Sequence, residues 1–168
     1  GGGEAGLVHP DRREDEGDQQ RVDDEPGAVL AVDRLLLQRP LDQLARALQR
    51  RLETADRTLD VLVQVNTSRE SEKSGVAPEE ALGLVREVAG FDRLRVRGLM
   101  TIATRGGDDV EARRCFRELA TLAARVRAEA IDGVVMDELS MGMSGDLEAA
   151  VAEGATTVRI GTALFGAR

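Results

Sequence analysis

Residues 139–168 read LSMGMSGDLEAAVAEGATTVRIGTALFGAR and contain two strand-like runs around one short helix. Small and apolar residues fill 139–143, and a nearly continuous β-branched and apolar run fills 156–160. Strands that are buried on both faces of a parallel sheet have this composition. Between the two runs an apolar residue recurs every three or four positions, which is helical spacing, and Gly154 is a natural helix end. The stretch therefore predicts a β-α-β unit.

Arg159 interrupts the second run, and a buried arginine is costly unless it is paired. Ile160, Gly161 and Thr162 follow it at once. Glycine lets the backbone approach a ligand closely, and threonine offers a hydroxyl and an N–H. A cation with free backbone donors at the C-terminal end of a parallel strand suits a phosphorylated ligand. The alternative is an arginine at the rim of the sheet that is paired to a carboxylate.

The alternation of strand and helix continues upstream of this stretch. Strands are predicted at 28–33, 59–65, 96–103, 134–136 and 138–143, and helices at 41–52, 78–89 and 110–130. This order predicts an α/β parallel sheet with right-handed crossovers. Gly98, inside a predicted strand, is expected to allow close packing against a neighbouring strand.

The charge of the chain is concentrated in its first residues. The whole sequence of 168 residues has a net charge of −8, and residues 1–27 contain nine acidic and three basic side chains. This segment lacks apolar periodicity, so we expect a disordered tail. The remainder is almost neutral and has no basic patch, so nucleic acid is not an expected partner. No apolar run is long enough to span a membrane, so no membrane partner is expected either.

Cysteine and histidine each occur once, as Cys115 and His9. A single cysteine excludes an internal disulfide and fits a reducing cytoplasm, and its helical position favours a packed thiol. The lone histidine, in the polar tail, leaves no parts for a metal site or a histidine-based nucleophile relay.

Three motifs in order give the chain a family resemblance. They are LVQVNTSRESEKSG at 62–75, RVRGLMTIAT at 95–104 and the C-terminal stretch, with a weaker match at AVDRL, 31–35. The chain resembles the YggS/PROSC family of pyridoxal 5′-phosphate (PLP) homeostasis proteins. The resemblance implies a partial (β/α)8 TIM barrel of the alanine racemase N-terminal-domain type, lacking roughly the first three βα units. Residues 28–168 would be the C-terminal portion of this PLP-binding barrel, and 1–27 a disordered or non-homologous tail on a truncated or frame-altered chain.

The resemblance also implies a cofactor site. Its candidate residues are Arg159, Ile160, Gly161, Thr162, Ser140, Met141 and Asn66. By the resemblance Arg159 lies beside the pyridine nitrogen and keeps it unprotonated, while Gly161 and Thr162 bind phosphate oxygens and Ser140 adds a hydroxyl. Met141 packs either around the ring or in the core. Asn66 is either a ligand or a turn residue that satisfies its own backbone.

Lysine limits the functional interpretation. The Schiff-base lysine of the family lies on the first barrel strand, whereas Lys73, the one lysine of this sequence, lies in a loop motif. Covalent attachment of PLP is therefore not expected. The resemblance implies a PLP-binding protein of PLP homeostasis, without catalytic turnover.

Two other functions are open. The first is a fragment of a PLP-dependent racemase-like enzyme, which would use a lysine and a tyrosine, and the sequence has no tyrosine. The second is a phosphate-binding barrel of another kind, with Asp33 and Glu138 as its nearest candidate carboxylates. We also expect self-association through open sheet edges.

Overall fold

A computed structural model describes residues 30–32, 41–104 and 106–166 of the chain. The strands are Leu30–Val32 (β1), Leu59–Gln64 (β2), Leu94–Met100 (β3), Val134–Met143 (β4) and Thr157–Arg159 (β5). The helices are Leu41–Thr54 (α1), Ala81–Ala89 (α2), Asp109–Ala128 (α3), Leu147–Ala152 (α4) and Thr162–Phe165 (α5). The predicted disordered tail, 1–27, and Asp33 lie outside the described residues.

The five strands form one parallel sheet in which spatial order follows chain order, β1-β2-β3-β4-β5. This confirms the predicted α/β parallel sheet. β4 is one strand rather than the two predicted pieces, because a register shift absorbs the polar residues in its middle. Between Val96 and Gly98 of β3, the paired positions on β4 advance from Val134 to Glu138. The short helix α5 was not predicted from the sequence.

The core lies between the sheet and the helices. Its largest fully buried side chains include Phe116 and Leu119 of α3, Val96 and Leu99 of β3, and Met141 of β4. Cys115 is also fully buried in this core, as expected for a packed thiol. Buried apolar side chains of β2, β3, β4, α2, α3 and α4 thus pack into one core, which fixes these strands relative to one another.

Two glycines permit close contacts around β4. A Cβ on Gly98 would lie 1.8 Å from the carbonyl oxygen of Glu138, so β3 and β4 approach there as only glycine allows. This confirms the predicted close packing at Gly98. Gly142 has a φ of +95°, and its Cβ would lie 2.4 Å from that of Ala150 in α4. Together these contacts hold β4 firmly between β3 and α4.

All five strands point the same way, so their carboxyl ends lie along one edge of the sheet. The loops after β2, β3 and β4 and the segment after β5 therefore share that edge. Ligands of parallel α/β sheets bind at this edge. In the described part of the chain, β1 and β5 are each paired on one side only.

Candidate functional site

The side chain of Arg159, the last residue of β5, connects three strands. Its Nη1 donates to Ser140 Oγ at 2.8 Å, and its Nη2 donates to the carbonyl oxygen of Thr101 at 2.9 Å. A longer contact of 3.5 Å joins Nη1 to the Ser140 carbonyl oxygen. The guanidinium therefore lies across the carboxyl ends of β3, β4 and β5. The structure brings Arg159 and Ser140, two of the predicted site residues, into direct contact.

Arg159 has no carboxylate partner within the described residues. Its hydrogen bonds go only to neutral oxygens, and it forms no ion pair there. A rim arginine paired to a carboxylate, the alternative left open by the sequence, is therefore not seen in this part of the chain. The side chain is half-buried, and this burial lowers the pKa of Arg159, while the negative charge of Asp146 acts in the opposite direction. A partly desolvated cation of this kind favours an anionic or lone-pair partner.

Two buried threonines, Thr67 and Thr101, lie next to Arg159 or to its acceptor. Thr67 and Thr101 are both fully buried, and their hydroxyl oxygens are 2.9 Å apart. Thr101 Oγ1 donates to the carbonyl oxygen of Val65 at 2.8 Å. A hydroxyl has a single proton, so Thr101 accepts its second hydrogen bond from Thr67. Sequence reasoning did not select this pair. The available signal was a threonine just after each of two adjacent parallel strands.

The remaining candidates around β4 and β5 occupy different environments. Met141 is fully buried in the hydrophobic core, so the core alternative describes its position. Ile160 is 36% exposed, and Gly161 is exposed with open space around it, since a Cβ there would meet no atom within 4 Å. The side chain of Thr162 lies outside the described residues.

Asn66 uses its amide within its own turn. Its Nδ2 donates to the Glu70 carbonyl oxygen at 2.7 Å, and its Oδ1 accepts from Ser68 Oγ at 3.0 Å. This is the arrangement of a turn residue that satisfies local backbone and side-chain groups. Its role as a cofactor ligand stays a prediction.

Lys73 is fixed on the same edge of the sheet. Its Nζ donates to the Ala103 carbonyl oxygen at 2.8 Å and pairs with Glu70. It lines a cavity of about 570 Å³ together with Met143, Asp146 and residues of the loop that follows β3. Met143 is the Cα partner of Arg159, and the charge of Asp146 acts on Arg159, so this cavity lies on the same edge of the sheet as Arg159.

A larger groove of about 730 Å³ lies on the helical side of the sheet, away from Arg159. Arginines and glutamates line it, and several of them pair with one another. Arg69, for example, contacts Glu79 at 2.9 Å and Glu118 at 2.8 Å. The positive charge of Arg69 in this groove is already neutralised by two glutamates. We therefore place the candidate site at the strand ends.

A parallel α/β half-barrel with a cation at its strand ends defines the class of protein. A family model described as alanine racemase, N-terminal domain, matches residues 27–168, and the chain belongs to this family. The pyridoxal phosphate homeostasis protein of Pseudomonas aeruginosa is 50% identical over 111 residues, which are 66% of this chain and 45% of that protein. The resemblance predicted from the three motifs is thereby confirmed, and the chain spans about half the length of the curated relatives it matches.

Solved structures agree with this assignment. PipY of Synechococcus elongatus with PLP bound is 33% identical, with a TM-score of 0.64 over 74% of this chain and 57% of that one. An alanine racemase of Clostridium difficile is 12% identical, with a TM-score of 0.61 over 75% of this chain and 32% of that one, and shows the fold alone. The predicted partial barrel of the alanine racemase type is confirmed. Within the described residues, every helix is too short or too polar to cross a membrane.

Proposed function

We propose that residues 28–168 form the C-terminal portion of a PLP-binding barrel that holds PLP without catalytic turnover and serves PLP homeostasis. Two findings from relatives support this proposal: the name of the curated relatives, and PLP in the PipY structure. The observation that carries it is the half-buried guanidinium of Arg159, which has no carboxylate partner among the described residues.

The residues at the strand ends fit two of the three needs of PLP, which are a ring-nitrogen partner, a phosphate cradle and a lysine. We assign Arg159 to the pyridine nitrogen, where its fixed positive charge opposes protonation of the ring. Gly161 and Thr162 are assigned to the phosphate, and the open space at Gly161 leaves room for it. Ser140 orients Arg159 through its 2.8 Å hydrogen bond.

An unprotonated ring suits a carrier better than a transaminase, which uses a carboxylate beside the ring nitrogen. PLP supplies a reactive aldehyde whose chemistry depends on how well its ring withdraws electrons. A carboxylate beside the nitrogen would stabilise the protonated ring, whereas Arg159 does the reverse. The racemase alternative also requires a tyrosine base, and the sequence has none.

We further propose that this chain holds PLP through noncovalent contacts. Lys73, its one lysine, is engaged by the Ala103 carbonyl and by Glu70. Arginine cannot replace a lysine here, since it stays protonated and does not condense with an aldehyde. The cavity beside Lys73 lies on the same edge of the sheet as the proposed ring site.

Isothermal titration with PLP tests the assignment of Arg159. Arg159→Met keeps much of the length of the side chain and removes its charge. We expect at least a tenfold weaker affinity, because a hydrogen bond to a charged group is worth about 1.5–3 kcal/mol. Arg125→Met is the matched control, because Arg125 is exposed on α3 and far from the strand ends. Equal affinity of Arg159→Met and the unaltered protein would refute the site.

Borohydride reduction followed by peptide mass analysis tests the noncovalent mode. We expect no PLP on Lys73 after reduction at a PLP concentration that saturates the noncovalent site. A pyridoxyl group fixed stoichiometrically on Lys73 would overturn this part of the proposal and leave the ring-nitrogen role of Arg159 untouched.

We also propose self-association and a cytoplasmic location. Next to the one-sided strand β5, Leu164 is 72% exposed and Phe165 is 86% exposed. Apolar side chains beside an open strand edge favour pairing with another chain. The single free cysteine, Cys115, supports a reducing compartment.

A further inference from the structure

We propose that the buried hydroxyl pair of Thr67 and Thr101 positions Arg159 for the ring nitrogen of a bound pyridine phosphate. This inference rests on the proposed function and extends it to two residues that touch no ligand. Their effect passes through the carbonyl group of Thr101, which accepts from Arg159 Nη2 at 2.9 Å.

Thr101 is held through every polar group that it has. Its N–H donates to the Ser140 carbonyl at 3.1 Å, and its hydroxyl donates to the Val65 carbonyl at 2.8 Å. The hydroxyl also accepts from Thr67 across 2.9 Å. Since β3 ends at Met100, Thr101 lies just outside the strand proper, and these bonds replace the sheet ladder in fixing its peptide group.

The direction of the Thr101 carbonyl determines the orientation of the guanidinium. Arg159 donates from two different nitrogens to two acceptors on neighbouring strands, Thr101 O after β3 and Ser140 Oγ on β4. A guanidinium is planar with donors in a rigid fork, so two fixed acceptors define its plane. Rotation of one acceptor tilts the plane and moves the remaining N–H groups away from a ligand.

The hydroxyl groups of Thr67 and Thr101 are the feature that distinguishes this pair from ordinary core residues. Thr67 and Thr101 are 0% exposed, yet both are hydroxyl residues where a valine would have the same shape. A valine at position 101 would leave the Val65 carbonyl without this donor and Thr67 without its acceptor. Buried polar groups of this kind order their surroundings only while all members are satisfied.

The test uses pyridoxine 5′-phosphate, which has the ring and the phosphate but no aldehyde, so it cannot react with Lys73. Two quantities are measured for each variant: the dissociation constant, and the pKa of the bound ring nitrogen from the pH dependence of its absorbance. The variants are Thr101→Val, Thr101→Ser, Thr67→Val and Arg159→Met. Asp146, whose charge also acts on Arg159, is unchanged in all of them.

For Thr101→Val we expect at least threefold weaker binding and a ring-nitrogen pKa displaced upward, toward that of the free ligand. Thr67→Val is expected to change both quantities in the same direction by a smaller amount. Thr101→Ser keeps the hydroxyl and should restore both values. A purely structural role would lower the affinity and the melting temperature without moving the pKa of the bound ring.

The outcomes separate this inference from the proposed function. An unchanged ring pKa in Thr101→Val or in Thr67→Val, with a changed value in Arg159→Met, overturns the positioning role alone. Unchanged values in Arg159→Met overturn the proposed function. If Thr101→Val does not fold, Thr67→Val decides, because it leaves the bond from Thr101 to Val65 in place.

Discussion

Replacement of Gly98 by alanine tests the packing that places the site. The new Cβ would lie 1.8 Å from the Glu138 carbonyl oxygen and 2.6 Å from its carbonyl carbon, both backbone atoms that no rotamer change can move. Carbon–oxygen contacts between strands lie at about 3.3 Å, so β3 and β4 must separate by about 1.5 Å. We expect Gly98→Ala to lower the free energy of unfolding by about 3 kcal/mol or more.

The measurement is urea unfolding at pH 7, followed by far-UV circular dichroism and compared at equal m-values. Gly83→Ala in α2 is the matched control, because a Cβ there meets nothing within 4 Å and the position is exposed. Alanine favours the helix, so this variant should be equally stable or more stable by about 0.5 kcal/mol. If Gly98→Ala fell within about 0.5 kcal/mol of the unaltered protein, the close approach of β3 and β4 would be wrong.

Two other predictions concern the surface. Serine at both Leu164 and Phe165 should lower the weight-average mass in sedimentation equilibrium, whereas serine at the equally exposed but distant Val110 should not, and equal masses for all three proteins contradict self-association at β5. Arg114 lowers the pKa of Glu111 below its ordinary value of 4.5 by donating a hydrogen bond. The Glu111 carboxylate therefore stabilises the fold above pH 4.5, and this stabilisation is lost as the pH falls through the lowered pKa of Glu111. Glu111→Gln should thus lose less stability between pH 5 and pH 3 in urea titrations, and identical pH profiles would contradict this pairing.

Much of the fold could be predicted because its signals are local. The apolar runs of β2 and β4 and the helical spacing of α3 mark buried elements by composition alone. Element ends were less predictable, since they depend on partners elsewhere in the chain. The strand expected at 96–103 starts at Leu94 and ends at Met100, because its pairing with β2 begins where Leu59 meets Leu94.

The candidate site was only partly accessible from the sequence. Arg159 stands out because a charge in an apolar strand needs an explanation, and its contact with Ser140 follows from neighbouring strand ends. The hydroxyl pair of Thr67 and Thr101 could not be predicted, because threonine is ordinary in strands and the pairing joins residues 34 positions apart. For Met141 the sequence left two positions open, around the ring or in the core. Which face of β4 it occupies depends on a register shift between Ser140 and Met143 that the sequence does not reveal.

The agreement between strand order and chain order has a consequence for synthesis. Each strand joins the sheet beside the strand made just before it, so a nascent chain closes only short loops as it leaves the ribosome. Among the five described strands β5 is made last, and its Arg159 then bonds to Thr101 and Ser140 at the carboxyl edge of the sheet. Under the proposed function, ligand capture would therefore report that β5 has docked. A polypeptide released before Arg159 would keep the buried core and lack the guanidinium to which we assign the pyridine nitrogen.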